Sequence, residues 1–201
     1  MNPLLLIACI LLWLYILRIL RIAELRAWRF VWGAAGLFVL FMLGLQPILT
    51  KPLIRVVSAL AGGIGSLTKT FTAYFKFGIL FISLPAGSIT LQVDFECSGI
   101  IEIMAFVSLL TFFNVYTRAE KLLVGIVGCV LLILFNVIRI VLICFSVHFF
   151  GLNAYYITHM FIGRLVFYAC SVGLYFYVFT KPQILQMKIG NFAYGLSKKN
   201  S

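Results

Sequence analysis

Long apolar runs, separated by short polar and basic stretches, dominate the pattern of hydrophobic and polar positions along this chain. A run of about 20 apolar residues is long enough to cross a bilayer as an α-helix. Five runs meet or approach this length, at residues 4–17, 30–49, 97–116, 122–142 and 159–180. The pattern therefore predicts an all-α polytopic membrane protein with about five transmembrane helices.

The connection between the second and third runs, residues 50–96, departs from this pattern. Residues 51–60 are basic and amphipathic, which is typical of a helix lying at a membrane interface, and the glycines at 62, 63 and 65 predict a break after it. The alternative is a sixth, weakly apolar span around residues 54–67. A sixth span would invert half of the topology.

Further along the same connection the hydrophobic period changes to two. Residues 88–96 alternate polar and apolar, and Pro85-Ala86-Gly87 separates them from the apolar run 78–84. This arrangement predicts a small extracytoplasmic β-hairpin over residues 79–96. Such a hairpin can present a free edge to an extended substrate segment and guide it towards the third run.

Composition supports the membrane assignment and limits the meaning of the charge. Of the 201 residues 64% are hydrophobic and 10% charged, with a mean hydropathy of +1.14, which excludes an ordinary soluble domain. The net charge of +11 would suggest nucleic acid in a soluble chain. Here the basic residues first have to be tested as topology signals, and we predict no nucleic-acid partner.

Most of the basic residues lie in alternate connections, which places them on one face of the membrane if there are five spans. They are Arg18, Arg21, Arg26, Arg29, Arg118, Lys121, Lys181, Lys188, Lys198 and Lys199. The positive-inside rule makes that face cytoplasmic, with the amino terminus outside. Four further cations, Lys51, Arg55, Lys69 and Lys76, count against this orientation, although long loops are weakly constrained by charge.

The predicted organisation has four parts. Residues 1–50 form two transmembrane helices with a basic cytoplasmic loop, and residues 51–96 form the extracytoplasmic connection. Residues 97–180 form a three-helix transmembrane core, and residues 181–201 form a basic cytoplasmic tail.

Ionisable residues are costly in a membrane span and mark candidate functional positions. At 1.5 Å per helical residue, Cys97, Arg139 and His159 lie roughly 28, 26 and 33 Å from the cytoplasmic ends of their runs. All three therefore reach the outer boundary of a hydrocarbon core about 30 Å thick. Depth alone does not show that they meet laterally.

These residue types suit cysteine-based acyl transfer. Cys97 is a candidate nucleophile, because the start of a helix and a neighbouring His or Arg favour the thiolate. His159 can act as general base and acid, and Arg139 can hold an oxyanion or a substrate carboxylate. Asn136 lies three residues before Arg139 on the same helical face and can orient it. Gly163 allows close approach one turn after His159.

Structural roles for the same residues remain open at this point. An isolated cysteine in an apolar protein is usually a small core residue, and Glu102 and Arg164 can form an intramembrane ion pair. Under that view the chain is a non-enzymatic membrane protein, either a lipid-binding scaffold or a transport subunit. An acyltransferase acting on lipid is a third class. The sequence has no metal-ligand spacing or nucleotide-binding glycine motif, and no cofactor is predicted.

Three ordered motifs on successive apolar runs resemble those of the exosortase/archaeosortase family. They are Cys97-Ser98-Gly99-Ile100, Asn136-Val137-Ile138-Arg139-Ile140 and His159-Met160-Phe161-Ile162-Gly163. The short chain and the acidic residues flanking Cys97 are most similar to the compact Gram-positive branch called exosortase G. Other members of the family are longer and have more spans.

The resemblance implies an integral-membrane cysteine protease or transpeptidase. It would be a multi-pass protein of the cell membrane with its active site facing outside, acting on C-terminal sorting tails of secreted proteins through a cysteine acyl-enzyme. The acyl group would pass to an envelope acceptor that the sequence does not identify. Carried over by motif, Cys97 is the nucleophile, His159 the general acid/base and Arg139 the ligand of the substrate or transition state; Asn136, Glu102 and Gly163 are supporting residues.

Overall fold

Helices make up most of the computed structural model, which describes residues 3–84 and 87–184. In chain order the elements are α1 (Pro3–Ile22), α2 (Arg26–Gly44), α3 (Gln46–Thr68), β1 (Phe71–Tyr74), β2 (Ile79–Leu84), β3 (Gly87–Gln92), α4 (Ile100–Phe112), α5 (Arg118–Phe150), α6 (Leu152–Ile157) and α7 (Gly163–Tyr175). A 3₁₀ turn (Phe95–Cys97) precedes α4, and two π-helical turns, Thr158–Ile162 and Phe176–Thr180, flank α7. Residues 85–86 of the predicted hairpin turn and 185–201 of the predicted basic tail lie outside the described residues.

The fold class predicted from the sequence is confirmed. In the part of the chain that the structure describes, four helices are long and apolar enough to cross a membrane: Arg26–Gly44, Gln46–Thr68, Arg118–Phe150 and Leu152–Ile184. The predicted first span lies within α1. A small antiparallel sheet accompanies the helices.

The predicted third span is shorter as a helix than the apolar run suggests. Gly99 adopts a left-handed conformation (φ 75°) and separates the 3₁₀ turn from α4, which begins at Ile100. The backbone of Phe113 is extended and ends the helix. The 13 residues of α4 rise only about 20 Å, which is less than the thickness of the hydrocarbon core. Cys97 therefore lies in a turn before the helix, not within it.

Helix α2 runs antiparallel to α4. Near the start of α2, the ring of Phe30 packs edge-on against Phe113, just beyond the end of α4, with 6.4 Å between ring centroids. Two turns later, Phe38 shares a groove with Ala105 in the middle of α4. We call the end of the bundle where residues 113–117 connect α4 to α5 the loop end, and the opposite end the sheet end.

Helix α5 starts at the loop end and also runs antiparallel to α4. Its first turn is fixed by a capping box between Thr117 and Glu120, which satisfies backbone N–H groups that have no partner within the helix. Lys121 donates to the carbonyl of Thr111 near the end of α4 (2.9 Å). Over its 33 residues α5 passes the 3₁₀ turn and continues along the sheet.

Helix α3 extends α2 in the same direction. The two helices share the cap residue Leu45, whose backbone is right-handed helical. Ile54, early in α3, lies beside Gly78 at the start of β2, whereas Gly65, late in α3, lies beside Phe71. Phe71 in turn packs against Phe145 near the end of α5, with 6.2 Å between ring centroids.

The inversion of topology expected with a sixth span is wrong, because α3 does not turn back on α2, although α3 (Gln46–Thr68) is itself long and apolar enough to cross a membrane. The Gly78 end of the sheet is next to the 3₁₀ turn, because the N–H of Val93 donates to the carbonyl of Gly78 (2.8 Å) and that turn follows directly. The opposite end of the sheet lies beside His148, whose imidazole contacts the carbonyl of Ser83. Both α3 and α5 run from the first end of the sheet to the second, so α2, α3 and α5 share one direction.

The break expected at the glycines of residues 62–65 is also wrong, because α3 remains helical through them. A Cβ at Gly62 would overlap Ala73 of β1, and one at Gly65 would overlap the backbone and ring of Phe71. The glycines thus let β1 lie directly on the helix, and close packing offsets their low helix propensity.

The sheet contains the predicted hairpin and one further strand. β2 and β3 pair antiparallel, with Ile79 opposite Gln92 and Ile82 opposite Ile89. β1, which the sequence analysis missed, pairs antiparallel with β2 and gives the order β1-β2-β3. β1 packs on α3 and β2 packs on α5. β3 ends at Gln92, so residues 93–96 of the predicted hairpin lie beyond it.

Cysteine labelling tests the shared direction of α2 and α3. In a background with the five native cysteines replaced by alanine, we expect Ser66→Cys and Asn153→Cys to react with a membrane-impermeant maleimide from the same side. Asn114→Cys, at the loop end, should react only from the opposite side. Ser66→Cys and Asn114→Cys reacting from one side would restore the sixth span.

Candidate active site

The turn that carries Cys97 is built from its own sequence. The hydroxyl of Ser98 donates to the carbonyl of Phe95 (2.6 Å) and accepts from the N–H of Ile100 (3.3 Å), so it ties the 3₁₀ turn to the first residue of α4. Gly99 lies between them in the left-handed region that favours glycine. A Cβ there would also lie 3.4 Å from the side chain of Asn136. Ser98 and Gly99 therefore fix the position of the thiol.

Helix α5 holds the same turn from the other side. The side-chain amide of Asn136, which is fully buried, donates to the carbonyl of Cys97 (2.6 Å). One turn along the helix, Arg139 donates to the carbonyl of Glu96 (3.5 Å). The sequence analysis expected Asn136 to orient Arg139. In the structure the two side chains instead bind successive carbonyl groups of the turn.

The structure brings Cys97, Arg139 and His159 together. The Sγ of Cys97 lies 3.2 Å from Nε2 of His159 and 3.7 Å from Nη2 of Arg139. These distances are short enough for the imidazole to exchange a proton with the thiol and for the guanidinium to stabilise negative charge on sulfur. Three separate segments of the chain meet at this point.

Arg139 is buried without a carboxylate partner. Only 3% of the residue is exposed, its guanidinium carbon lies 5.9 Å from the centroid of the Phe167 ring, and its Nε has no hydrogen-bond partner. Among residues 3–84 and 87–184 it forms no ion pair. A buried guanidinium cannot lose its charge at ordinary pH, so the site has a positive charge available for an anion beside the thiol.

Helix α7 and the π-helical turn before it position the guanidinium of Arg139 and the imidazole of His159. Gly163 lies against the stem of Arg139, and a Cβ there would be 3.2 Å from Cγ of Arg139 and 3.0 Å from the carbonyl oxygen of Thr158. This is the close approach that the sequence analysis expected at Gly163. His159 lies in the first π-helical turn, a distortion that often accompanies functional sites.

Tyr155 is a site residue that the sequence analysis missed. Its ring stacks on the imidazole of His159, with 5.1 Å between centroids and 21° between planes. The available signal was its position four residues before His159, on the same face of a helix. The missed Phe167 has no comparable signal, because its contact with Arg139 depends on the packing of α7 against α5.

The electrostatics of Cys97 differ from the sequence-based expectation. Burial raises the pKa of its thiol above the ordinary value, and Arg139 opposes this shift. The expected lowering of the pKa by the dipole of the following helix is therefore wrong: the thiol precedes α4 by three residues and is removed from water. A raised pKa favours the protonated thiol, so its ionisation depends on a nearby proton acceptor.

Glu102 and Arg164 do not form the ion pair considered from the sequence. Arg164 pairs with Glu96 instead (Nη2 to Oε2, 3.0 Å), at a position where the two side chains are 35% and 69% exposed. Glu96 is next to Cys97 in the chain, but this ion pair is partly exposed to solvent. The backbone carbonyl of Glu102 accepts a hydrogen bond from Tyr175 (3.1 Å), which links α4 to the end of α7.

A cleft lies between the sheet and the site. Its cavity volume is only about 20 Å³, and its lining includes Leu91 and Val93 from the sheet side, Ile143 from α5, and Cys97 and His159. Most of the lining is apolar, whereas the reacting groups lie at one wall. Within the described residues no group of His, Cys, Asp and Glu side chains is arranged to hold a metal ion.

A glycine substitution tests the packing that positions Arg139. We expect Gly163→Leu to displace the guanidinium and to lower stability by about 1–3 kcal/mol, as overpacking of a tight contact does. Gly173→Leu is the matched control on the same helix, since nothing lies within 4 Å of a Cβ there. Thermal unfolding in detergent and the rate of Cys97 alkylation measure both effects. Equal behaviour of the two variants would contradict the assigned packing.

Comparison with known proteins agrees with the membrane architecture. No curated protein and no solved structure matches the chain significantly. The family model described as transmembrane exosortase (Exosortase_EpsH) matches residues 1–176, which include every element from α1 to α7 and all three motifs. The chain therefore belongs to the transmembrane exosortase family.

Proposed function

We propose that this protein is a membrane cysteine transpeptidase or protease in which Cys97 is the nucleophile. The observation that carries the proposal is the contact of one thiol with both an imidazole and an unpaired guanidinium, at 3.2 and 3.7 Å. Membership of the exosortase family supports a transpeptidase-type role. The specific assignments of nucleophile, acid/base and anion ligand are part of the proposal.

The first half of the reaction follows from this geometry. His159 removes the proton from Cys97, and the thiolate attacks the carbonyl carbon of the scissile peptide bond to form a carbon–sulfur bond. The carbonyl oxygen becomes an oxyanion, which Arg139 stabilises through its charge and its N–H donors. The carbon–nitrogen bond then breaks, and His159 returns the proton to the leaving amine.

The second half releases the acyl group from the enzyme. An acceptor with a hydroxyl or amine, or water, loses a proton to His159 and attacks the thioester carbonyl. The carbon–sulfur bond breaks, and the thiol of Cys97 is restored by the proton on His159. The buried positive charge of Arg139 serves both halves, because an oxyanion forms in each.

The proposed orientation places this reaction at the extracytoplasmic surface. Arg26, Arg118, Lys121 and Lys181 lie at or near the loop end of the bundle, whereas the site lies towards the sheet end. Short basic loops favour the cytoplasm, so the sheet end faces outward. Secreted proteins with a C-terminal sorting tail are then the substrates that reach the site, as the resemblance of the motifs implies.

Trapping of the acyl-enzyme tests the nucleophile. The full-length protein is isolated from cells that produce its substrates, quenched in acid and analysed by intact mass and peptide mapping. We expect a polypeptide linked to Cys97 through a bond that hydroxylamine cleaves. Cys97→Ala should remove this adduct, and Cys129→Ala, which changes a half-buried thiol of α5, should retain it.

Two other results would overturn the proposal. A polypeptide adduct that survives in Cys97→Ala would exclude this nucleophile. A fatty acyl group on Cys97 in place of a polypeptide would replace the transpeptidase with a lipid acyltransferase.

The role of Arg139 gives a separate prediction. Arg139→Gln removes the charge but retains hydrogen-bonding capacity, and we expect the rate of adduct formation to fall by about 10²–10³-fold, as loss of an oxyanion donor does. Arg139→Lys should recover only part of this loss, because the ammonium group lacks the guanidinium's fork of donors. Single-turnover rates measure both variants, and an unchanged rate in Arg139→Gln would contradict the role.

A further inference from the structure

Strand β3 forms a free edge of the sheet. β1 packs on α3 and β2 packs on α5, but within the described residues no helix packs along β3. The cleft that contains Cys97 and His159 is also lined by the last two residues of β3, Leu91 and Gln92, and by Val93, which follows the strand. An unpaired strand edge therefore leads directly to the candidate nucleophile.

The hydrogen-bond register identifies which backbone groups are free. The N–H of Val93 donates to the carbonyl of Gly78 (2.8 Å). Every second residue along an antiparallel strand bonds the same neighbouring strand, so Leu91 and Ile89 also direct their backbone N–H and C=O groups towards β2. On the other side, the N–H of Ser83 donates to Thr70 (3.2 Å). Ser83 and every second residue before it in β2 therefore direct their backbone groups towards β1, as an antiparallel ladder requires.

It follows that three residues of β3, Ser88, Thr90 and Gln92, direct their N–H and C=O groups to the open edge. Their side chains are polar and exposed, whereas Ile89 and Leu91 turn towards the core. A row of unpaired donors and acceptors is a template for pairing with another extended chain. The described residues offer no other element to occupy it.

Resting on the proposed function, we propose that the polypeptide substrate binds by adding a strand to the edge of β3, with its scissile bond carried to Cys97. Backbone groups of the substrate pair with Ser88, Thr90 and Gln92. Alternate side chains of the added strand then face the apolar cleft beside Leu91 and Ile143. The substrate class is an extended polypeptide segment, not a helix and not a lipid acyl chain.

The chemistry of the cleft agrees with this occupant. Its lining is mostly apolar and favours an uncharged segment next to the scissile bond. Main-chain pairing along three residues supplies affinity without requiring one sequence, and the cleft supplies selectivity. The backbone carbonyl at the cleavage point is then next to Cys97 and His159, which line the cleft.

A proline substitution at the free edge tests this proposal. Proline is tolerated in an edge strand where its N–H would face solvent, so Thr90→Pro removes one free donor and leaves the ladder to β2 intact. We expect the yield of the polypeptide adduct on Cys97 to fall at least tenfold, while alkylation of Cys97 by iodoacetamide keeps its wild-type rate. Thr90→Val retains the N–H and should give at least ten times the adduct of Thr90→Pro.

Phe75→Pro is the matched control in the turn between β1 and β2. The N–H of Phe77 donates to the carbonyl of Tyr74 (3.1 Å), which makes Phe75 the second residue of a β-turn, a position that favours proline. We expect this variant to form the adduct normally. A wild-type adduct yield in Thr90→Pro would overturn strand addition.

Hydrogen exchange gives a second measurement that needs no variant. Comparison of wild-type protein with and without the trapped adduct should show up to three amides of β3 gaining protection, those of Ser88, Thr90 and Gln92. Protection that is absent with the adduct in place would overturn the proposal. So would protection that depends on protein concentration and is present without adduct, since a second copy of this chain would then occupy the edge.

The two proposals fail in different ways. If Cys97→Ala retains the adduct, the proposed nucleophile is wrong. If Cys97→Ala abolishes the adduct but Thr90→Pro does not reduce it, the transpeptidase stands and strand addition is wrong.

Discussion

The site depends on a single buried guanidinium that forms no ion pair within the described part of the chain. Arg139 is 3% exposed, and the cost of removing its charge from water has to be offset by the groups around it. The carbonyl of Glu96, the face of Phe167 and the sulfur of Cys97 offset part of this cost. The part of the desolvation cost that these groups do not offset favours any state in which negative charge forms near the guanidinium. A thiolate and a tetrahedral oxyanion are two such states.

The surrounding architecture follows from holding that charge in place. Helix α5 carries Asn136 and Arg139 on one face and binds two successive carbonyl groups of the turn, so the thiol of Cys97 and the cation are fixed relative to each other. Helix α7 approaches α5 closely because Gly163 has no side chain. The first π turn carries His159, whose Nε2 lies 3.2 Å from the sulfur. Burial raises the pKa of the thiol and thereby favours its neutral form beside the charge of Arg139.

Much of this organisation could be predicted from the sequence, because lipid makes polar residues informative. The helical membrane fold and the pairing of β2 with β3 follow from hydrophobic period, and Cys97, Arg139 and His159 stand out as costly groups at one depth. Strand β1 and the unbroken α3 could not be predicted, since the glycines at 62 and 65 have a close-packing role that appears only when Ala73 and Phe71 are placed. The pairing of Arg164 with Glu96 could not be predicted either, because it depends on which helices lie side by side. Periodicity gives the depth of a residue in the membrane but not its neighbours.

The shortness of α4 sets the depth of the site. Its 13 residues rise about 20 Å, whereas α5 beside it has 33 residues and extends well past the turn that carries Cys97. All of α4 except Thr111 is buried or half-buried, so neighbouring protein, more than lipid, covers the difference in length. The thiol therefore lies below the end of the longest helix, and any chain that reaches it has to pass alongside α5.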